Sequence, residues 1–125
     1  MATSVLAIMG TPAYLLFNMD GLIFILGIVA AYLIYEWFHY SHHVHPGSTR
    51  YGRRMRRHHF HHHFVNPRSN HGVTSPFWDL IFRTYEAPSK IRVPVKLQMK
   101  WLSDSESGEV FPQHSKWYEL KGRRT

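Results

Sequence analysis

The sequence predicts an all-α fold: a membrane-embedded helical hairpin followed by histidine-bearing cytosolic helices, with a small irregular or β tail. Three observations carry this expectation. Apolar residues of the 125-residue chain concentrate before Tyr40 and charge concentrates after it. Ten of the eleven histidines fall between His39 and His71, nine of them in two clusters with helical spacing. There is no cysteine, which excludes disulfides, cysteine-ligated zinc and iron–sulfur clusters. The chain divides accordingly into residues 1–38, embedded in a membrane, 39–87, the histidine-rich part, and 88–125, a basic tail.

The first part holds two apolar runs. Val5–Phe17 is one, with Pro12 inside it, and Asn18 to Gly21 read as a turn. Leu22–Tyr35 is the second, uncharged, and Trp37 and Phe38 extend it past Glu36. A spanning helix needs about 20 residues, so two arrangements are open. One is a re-entrant hairpin held in a single leaflet, the other a full span through Met19–Phe38. Phe, Ile and Leu on every helical face leave no solvent side, which sets the run apart from a buried hairpin of a soluble protein. It has no Lys or Arg ahead of it and leads directly into the histidines, which argues against a cleaved signal peptide. Arg50, Arg53, Arg54, Arg56, Arg57 and Arg68 follow, with no Asp or Glu between Glu36 and Asp79, and place that end in the cytosol. The net charge of +7 could attract nucleic acid or anionic lipid. The adjoining apolar helix favours lipid, and without stacking aromatics interleaved among the basic residues nucleic acid is not an expected partner.

His39 and His43 are four residues apart, so on a helix they share a face, with His42 beside them. Pro46 and Gly47 stop that helix. Ser48 or Thr49 caps a second helix over Arg50–Phe64. Within it His59, His62 and His63 have i, i+3, i+4 spacing, but His58, His61 and His62 fit the pattern equally, and spacing leaves the register open. Imidazole suits iron, zinc, copper or nickel. Zinc is satisfied by four ligands, so so many histidines point to two metals sharing a cradle. Asp79 or Glu36 can accept from ring N–H groups. The competing reading is a histidine-rich basic surface with adventitious metal affinity; two matching clusters on separate helices weigh against it.

Downstream, Pro67 to Gly72 read as a turn, and His71 is a further candidate ligand. Ser75 can cap a short helix with Pro76 at its first position. Phe77, Trp78, Ile81 and Phe82 give that helix an apolar face, to pack under the metal helices or lie on lipid. In the tail, Ile91, Val93, Val95 and Leu97 alternate with polar residues or Pro94, as an edge strand would. Asp104–Glu109 is a polar turn, and Trp117, Tyr118 and Leu120 belong to a short helix or strand. Disorder of part of the tail is the alternative.

Taken together, Tyr35-Glu36-x-x-His39-Tyr40-x-His42-His43, His59-x-x-His62-His63 and the Asn70-x-Gly72-Val73-Thr74-Ser75-x-Phe77-Trp78-Asp79 string resemble the fatty acid hydroxylase and sterol desaturase superfamily, over about residues 21–85. His39 and His43 match its third histidine box; His59, His62 and His63 match its fourth. The resemblance implies these five as metal ligands, normally for a di-iron centre with zinc a possible substitute. It implies a membrane lipid or fatty acyl substrate, a haem-containing electron carrier, and a membrane location, in the endoplasmic reticulum if eukaryotic. The first two boxes of the family have no counterpart before His39. The expected activity is therefore that of a partial or truncated fatty acyl hydroxylase domain, with a homo-oligomer as one way to complete the site. The alternative is a non-catalytic, membrane-associated metal- or lipid-binding protein.

Overall fold

The computed structural model describes residues 4, 6–104 and 106–122, which form a first unit ending at Trp37 and a second starting at Phe38. Val5 lies outside the described residues. In the first unit a wide π-helical turn, Leu6–Gly10, leads into helix α1, Thr11–Val44. Pro12 has no N–H to offer the preceding turn, and a widened turn accommodates that. At Asn18 the backbone leaves helical geometry, with φ 54° and ψ −136°. A Cβ on Gly21 would lie 2.2 Å from the Ala13 carbonyl oxygen, and one on Gly10 would lie 3.9 Å from Leu22 Cδ1. Residues eight apart in a straight helix are separated by about 12 Å, so the chain bends sharply at Asn18. The turn expected over four residues is thus confined to one. Asparagine tolerates positive φ, and Gly21, lacking a Cβ, seats directly against the Ala13 backbone.

The apolar side chains of this unit are not buried within it: Leu15, Leu16, Phe17, Ile23, Phe24 and Leu33 are each more than half exposed. Among the described residues one helix is long and apolar enough to cross a membrane. A core helix of a soluble domain would hide most of this surface.

In the second unit, Gly47 takes φ 72° between the end of α1 and helix α2, Arg50–Phe64. Thr49 is the N-cap, its Oγ1 accepting from the Gly52 N–H at 2.9 Å. Helix α3 spans Phe77–Ile81. Pro76 occupies its N-cap position, one residue earlier than the sequence reading placed it, and Ser75 Oγ accepts from the Phe77 N–H at 3.2 Å. Phe77, Trp78, Ile81 and Phe82 are all more than half exposed.

The tail folds onto α2. Strand β1, Ile91–Pro94, pairs in parallel with β2, Tyr118–Lys121, with Ile91 opposite Tyr118 and Pro94 opposite Lys121. The alternation expected to continue to Leu97 stops at Pro94, where the ladder loses a donor; Val95–Leu97 is a 3-10 turn. Asp104 and Glu109 close a turn, the Asp104 N–H donating to the Glu109 carbonyl at 3.1 Å. Two four-residue strands are marginal alone. They are held by a core of Ile91, Val93, Met99, Leu102 and Tyr118 gathered around Phe60 of α2. Arg56 is the main departure from the sequence reading. Grouped with the lipid-facing arginines, it is instead 2% exposed. Its Nη1 donates to the His45 carbonyl at 2.6 Å, and its guanidinium lies 4.1 Å from the centre of the Trp101 ring.

Candidate metal centre

The end of α1 presents His39 and His43 one turn apart, and α2 presents His59 and His63 one turn apart. Their four ligand nitrogens lie within 4.8 Å of one another. Three contacts link the Nε2 atoms in series: His39 to His63 at 3.3 Å, His63 to His59 at 3.0 Å, and His59 to His43 at 3.4 Å. Each Nε2 carries either one in-plane proton or one lone pair, so at most two of these contacts can be linear hydrogen bonds. Four lone pairs aimed at a common point are satisfied by a cation. Imidazole nitrogens held at about 2.0–2.1 Å from one tetrahedral ion stand about 3.4 Å apart, close to the spacing of the three linked pairs, within a set bounded by 4.8 Å. The residues therefore fit a metal ion.

The electrostatics keep the ring of His59 neutral. It is 3% exposed. Burial, then the imidazoles of His63, His39, His43 and His42, push its pKa down to about 2. Burial, with His39 and His62 beside it, also lowers His63. Neutral imidazole is the form that binds metal.

Four further histidines of the two clusters are turned to oxygen acceptors. His58 Nε2 donates to Asp79 Oδ2 at 2.8 Å and His61 Nε2 to Glu86 Oε2 at 3.0 Å. His62 Nδ1 donates to the Ser69 carbonyl at 2.8 Å and His42 Nε2 to the Val73 carbonyl at 3.0 Å. This arrangement separates the two registers that spacing left open: His59 and His63 face α1, while His58 and His61 face carboxylates. His62, the remaining histidine of the sequence-based set, stands outside the converging four. Burial lowers the pKa of His58 despite its carboxylate partner, so this is a neutral imidazole donating to a charged Asp79. Burial opposes ionisation of Asp79. Hydrogen bonds from Thr84, the Gly72 N–H, His58 and the His71 N–H outweigh it and hold the carboxyl at about 2.

Trp101 of the tail reaches the backbone of the centre and Tyr118 stands one ring further away, and the sequence offered no local signal for either. Trp101 Nε1 donates to the His43 carbonyl at 3.0 Å. Tyr118 meets the ring of Phe60, which itself packs 5.0 Å from the His43 ring. Glu86, which orients His61, also accepts from Asn66 Nδ2 at 2.6 Å.

Paired histidines at the end of a long apolar helix, facing paired histidines on the next, form a cluster that could hold a metal ion. The comparisons narrow this. A family model described as fatty acid hydroxylase matches residues 1–84, well over half of the chain. The chain belongs to the fatty acid hydroxylase family. It is similar to fatty acid 2-hydroxylase of Mus musculus, 37% identical over 70 residues, which cover 54% of this chain and 18% of that protein. The chain thus spans less than a fifth of the length of this curated relative. No solved structure matches it.

Proposed function

We propose that the chain is the metal-binding part of a membrane fatty acyl hydroxylase. His39, His43, His59 and His63 hold iron, and His62 serves an adjoining metal of a two-iron centre. The observation that carries this reading is the convergence of four Nε2 atoms within 4.8 Å, supported by the family match over residues 1–84. When bound, a pair of iron ions supplies the dioxygen activation that hydroxylates an acyl C–H bond, with electrons from a haem-containing carrier. The chain's own residues do the positioning. Burial keeps His59 neutral, Asp79 and Glu86 turn His58 and His61 away from the centre, and Trp101 anchors the carbonyl end of α1. The exposed apolar faces of residues 7–38 and of Phe77–Phe82 rest in lipid. The first of these enters as a hairpin bent at Asn18, and Arg50, Arg54 and Arg68 face cytosolic headgroups. The membrane is that of the endoplasmic reticulum in a eukaryote. A second copy of the chain is one source of further ligands.

The test is metal content and oligomer mass of the detergent-purified chain, followed by dioxygen-dependent acyl hydroxylation with a haem-containing donor. Bound iron with turnover supports the reading. Protein without metal, whose histidine variants melt at the wild-type temperature, overturns it. Iron without turnover assigns the chain to non-catalytic metal binding.

A further inference from the structure

We infer that Arg56 and Tyr118 hold a small inorganic anion, of chloride size, between α2 and the folded tail. The Arg56 side chain is fully buried, and a guanidinium keeps its charge in proteins. A buried charge without a partner is strongly destabilising. Among the described residues no carboxylate pairs with this one. Its contacts are the His45 carbonyl and the face of the Trp101 ring, both uncharged. Arg53 and Arg57, half-buried on the same helix, add positive potential rather than relieve it. They too rest on uncharged groups, Arg53 on the Gly47 and Ser48 carbonyls and Arg57 over the Trp117 ring at 4.2 Å.

Two donors beside this charge lack an acceptor. Arg56 Nε and the Tyr118 hydroxyl are both buried, and neither has a hydrogen-bond partner among the described residues. Tyr118 is 3% exposed, and its hydroxyl lies close enough to the Arg56 guanidinium to interact with it without being aligned for a bond. The two orphaned groups are therefore neighbours. The phenol is not itself the counter-ion. Burial raises its pKa against the pull of Arg56 and Arg57, so it keeps its proton. His114, edge-on to the Trp101 ring at 5.2 Å, stays neutral as well, because burial and Arg56 both lower its pKa. A water would satisfy the two donors and leave the charge uncompensated. An anion does both: it accepts from the N–H and the O–H, and it neutralises the guanidinium. Two orphaned donors suit a single-atom ion better than an oxyanion, whose several oxygens each need a donor.

The ion sits at the joint between the tail and the histidine-bearing helices. Arg56 holds the His45 carbonyl and Trp101 holds the His43 carbonyl, so an anion that fixes Arg56 against Tyr118 ties the tail to the end of α1 as well as to α2. The site needs no metal in the four-histidine cluster, and it stands or falls apart from that reading.

The test is melting of the metal-free full chain in detergent, in sodium chloride against sodium gluconate at equal ionic strength, together with chloride NMR line widths. Chloride should raise the wild-type melting temperature by several degrees with a saturable dependence that gluconate lacks, and the protein should broaden the chloride line. Tyr118→Phe keeps the ring against Phe60 and Trp101 and removes one donor. It should fold and bind chloride about tenfold more weakly. Arg56→Met should abolish the chloride dependence, and Arg54→Met, at an exposed position two residues away, should leave it intact. Tyr118→Phe decides the matter if Arg56→Met does not fold. Equal melting in the two salts with no line broadening overturns the site and leaves a buried water there. Chloride dependence of undiminished strength in Tyr118→Phe also overturns it and means general salt screening.

Discussion

Removing His39 is the most direct probe of the converging four. Its Nε2 stands 3.3 Å from that of His63, and its ring sits edge-on to His59 at 4.7 Å. Zinc binding to a four-ligand protein site is worth about 10–16 kcal/mol in apparent free energy. Shared among four imidazoles this is about 3 kcal/mol each, or roughly a hundredfold in dissociation constant. His39 is only half-buried, so loss of its ring opens no enclosed cavity, and metal-free stability should change by less than about 1 kcal/mol. His45→Ala is the matched control: it lies just past the same helix end, its side chain is exposed, and it is not among the four. The assay is chelator competition for Zn²⁺ with the full chain in detergent, together with the rise in melting temperature on adding metal. His39→Ala should weaken binding about a hundredfold and abolish most of that rise. An affinity within threefold of wild type, or an equal loss in His45→Ala, would refute the reasoning.

Two further outcomes are expected. The folded pKa of Asp79 is about 2 against an ordinary 3.8, so its ionised form stabilises the fold above pH 4, and that stability is lost as pH falls through 3.8 towards 2. Asp79→Asn should therefore cost about 2 kcal/mol near neutral pH, with the gap to wild type roughly half closed at pH 3 in denaturant titrations. A gap that stays constant over that range contradicts the assignment. Trp101→Phe removes the indole donor to the His43 carbonyl while keeping a ring over Arg56. It should lower stability by about 1 kcal/mol in urea unfolding and weaken Zn²⁺ binding several-fold. Unchanged metal affinity would show that the tail does not brace the centre.

What could be read from the sequence was local. Thr49 as a cap, Gly47 as a stop and helix α2 over Arg50–Phe64 all follow from residues within one or two turns of each other, and the structure has each of them. The shared face of His39 and His43 is likewise a matter of 3.6 residues per turn. The histidine register was not local. Spacing admits two sets on α2, and the choice depends on Asp79 and Glu86, whose positions are set by chain 21 and 25 residues further on. The tail failed to be legible for the same reason. Phe60 looks like an interruption in a histidine run, yet it is the centre of the tail's core and is fully buried. Arg56 looks like surface charge because the residues that compensate its burial, Trp101 and the His45 carbonyl, are invisible in its neighbourhood.

These non-local contacts explain how a run of near-identical residues comes to have distinct roles. His58, His59, His61, His62 and His63 are chemically equal in the sequence, and α2 could present any side of that run to α1. Three contacts fix the roll of the helix. Asp79 holds His58, Glu86 holds His61, and Phe60 faces Ile91, Val93 and Tyr118 on the tail. Turning the helix by one residue, about 100°, would place a histidine against the apolar tail and leave two buried carboxylate-paired imidazoles without partners. Each such loss costs about 1–3 kcal/mol. The direction in which His59 and His63 point is thus set mainly by residues that do not touch them, and the tail beyond the family match is part of what aims the converging histidines.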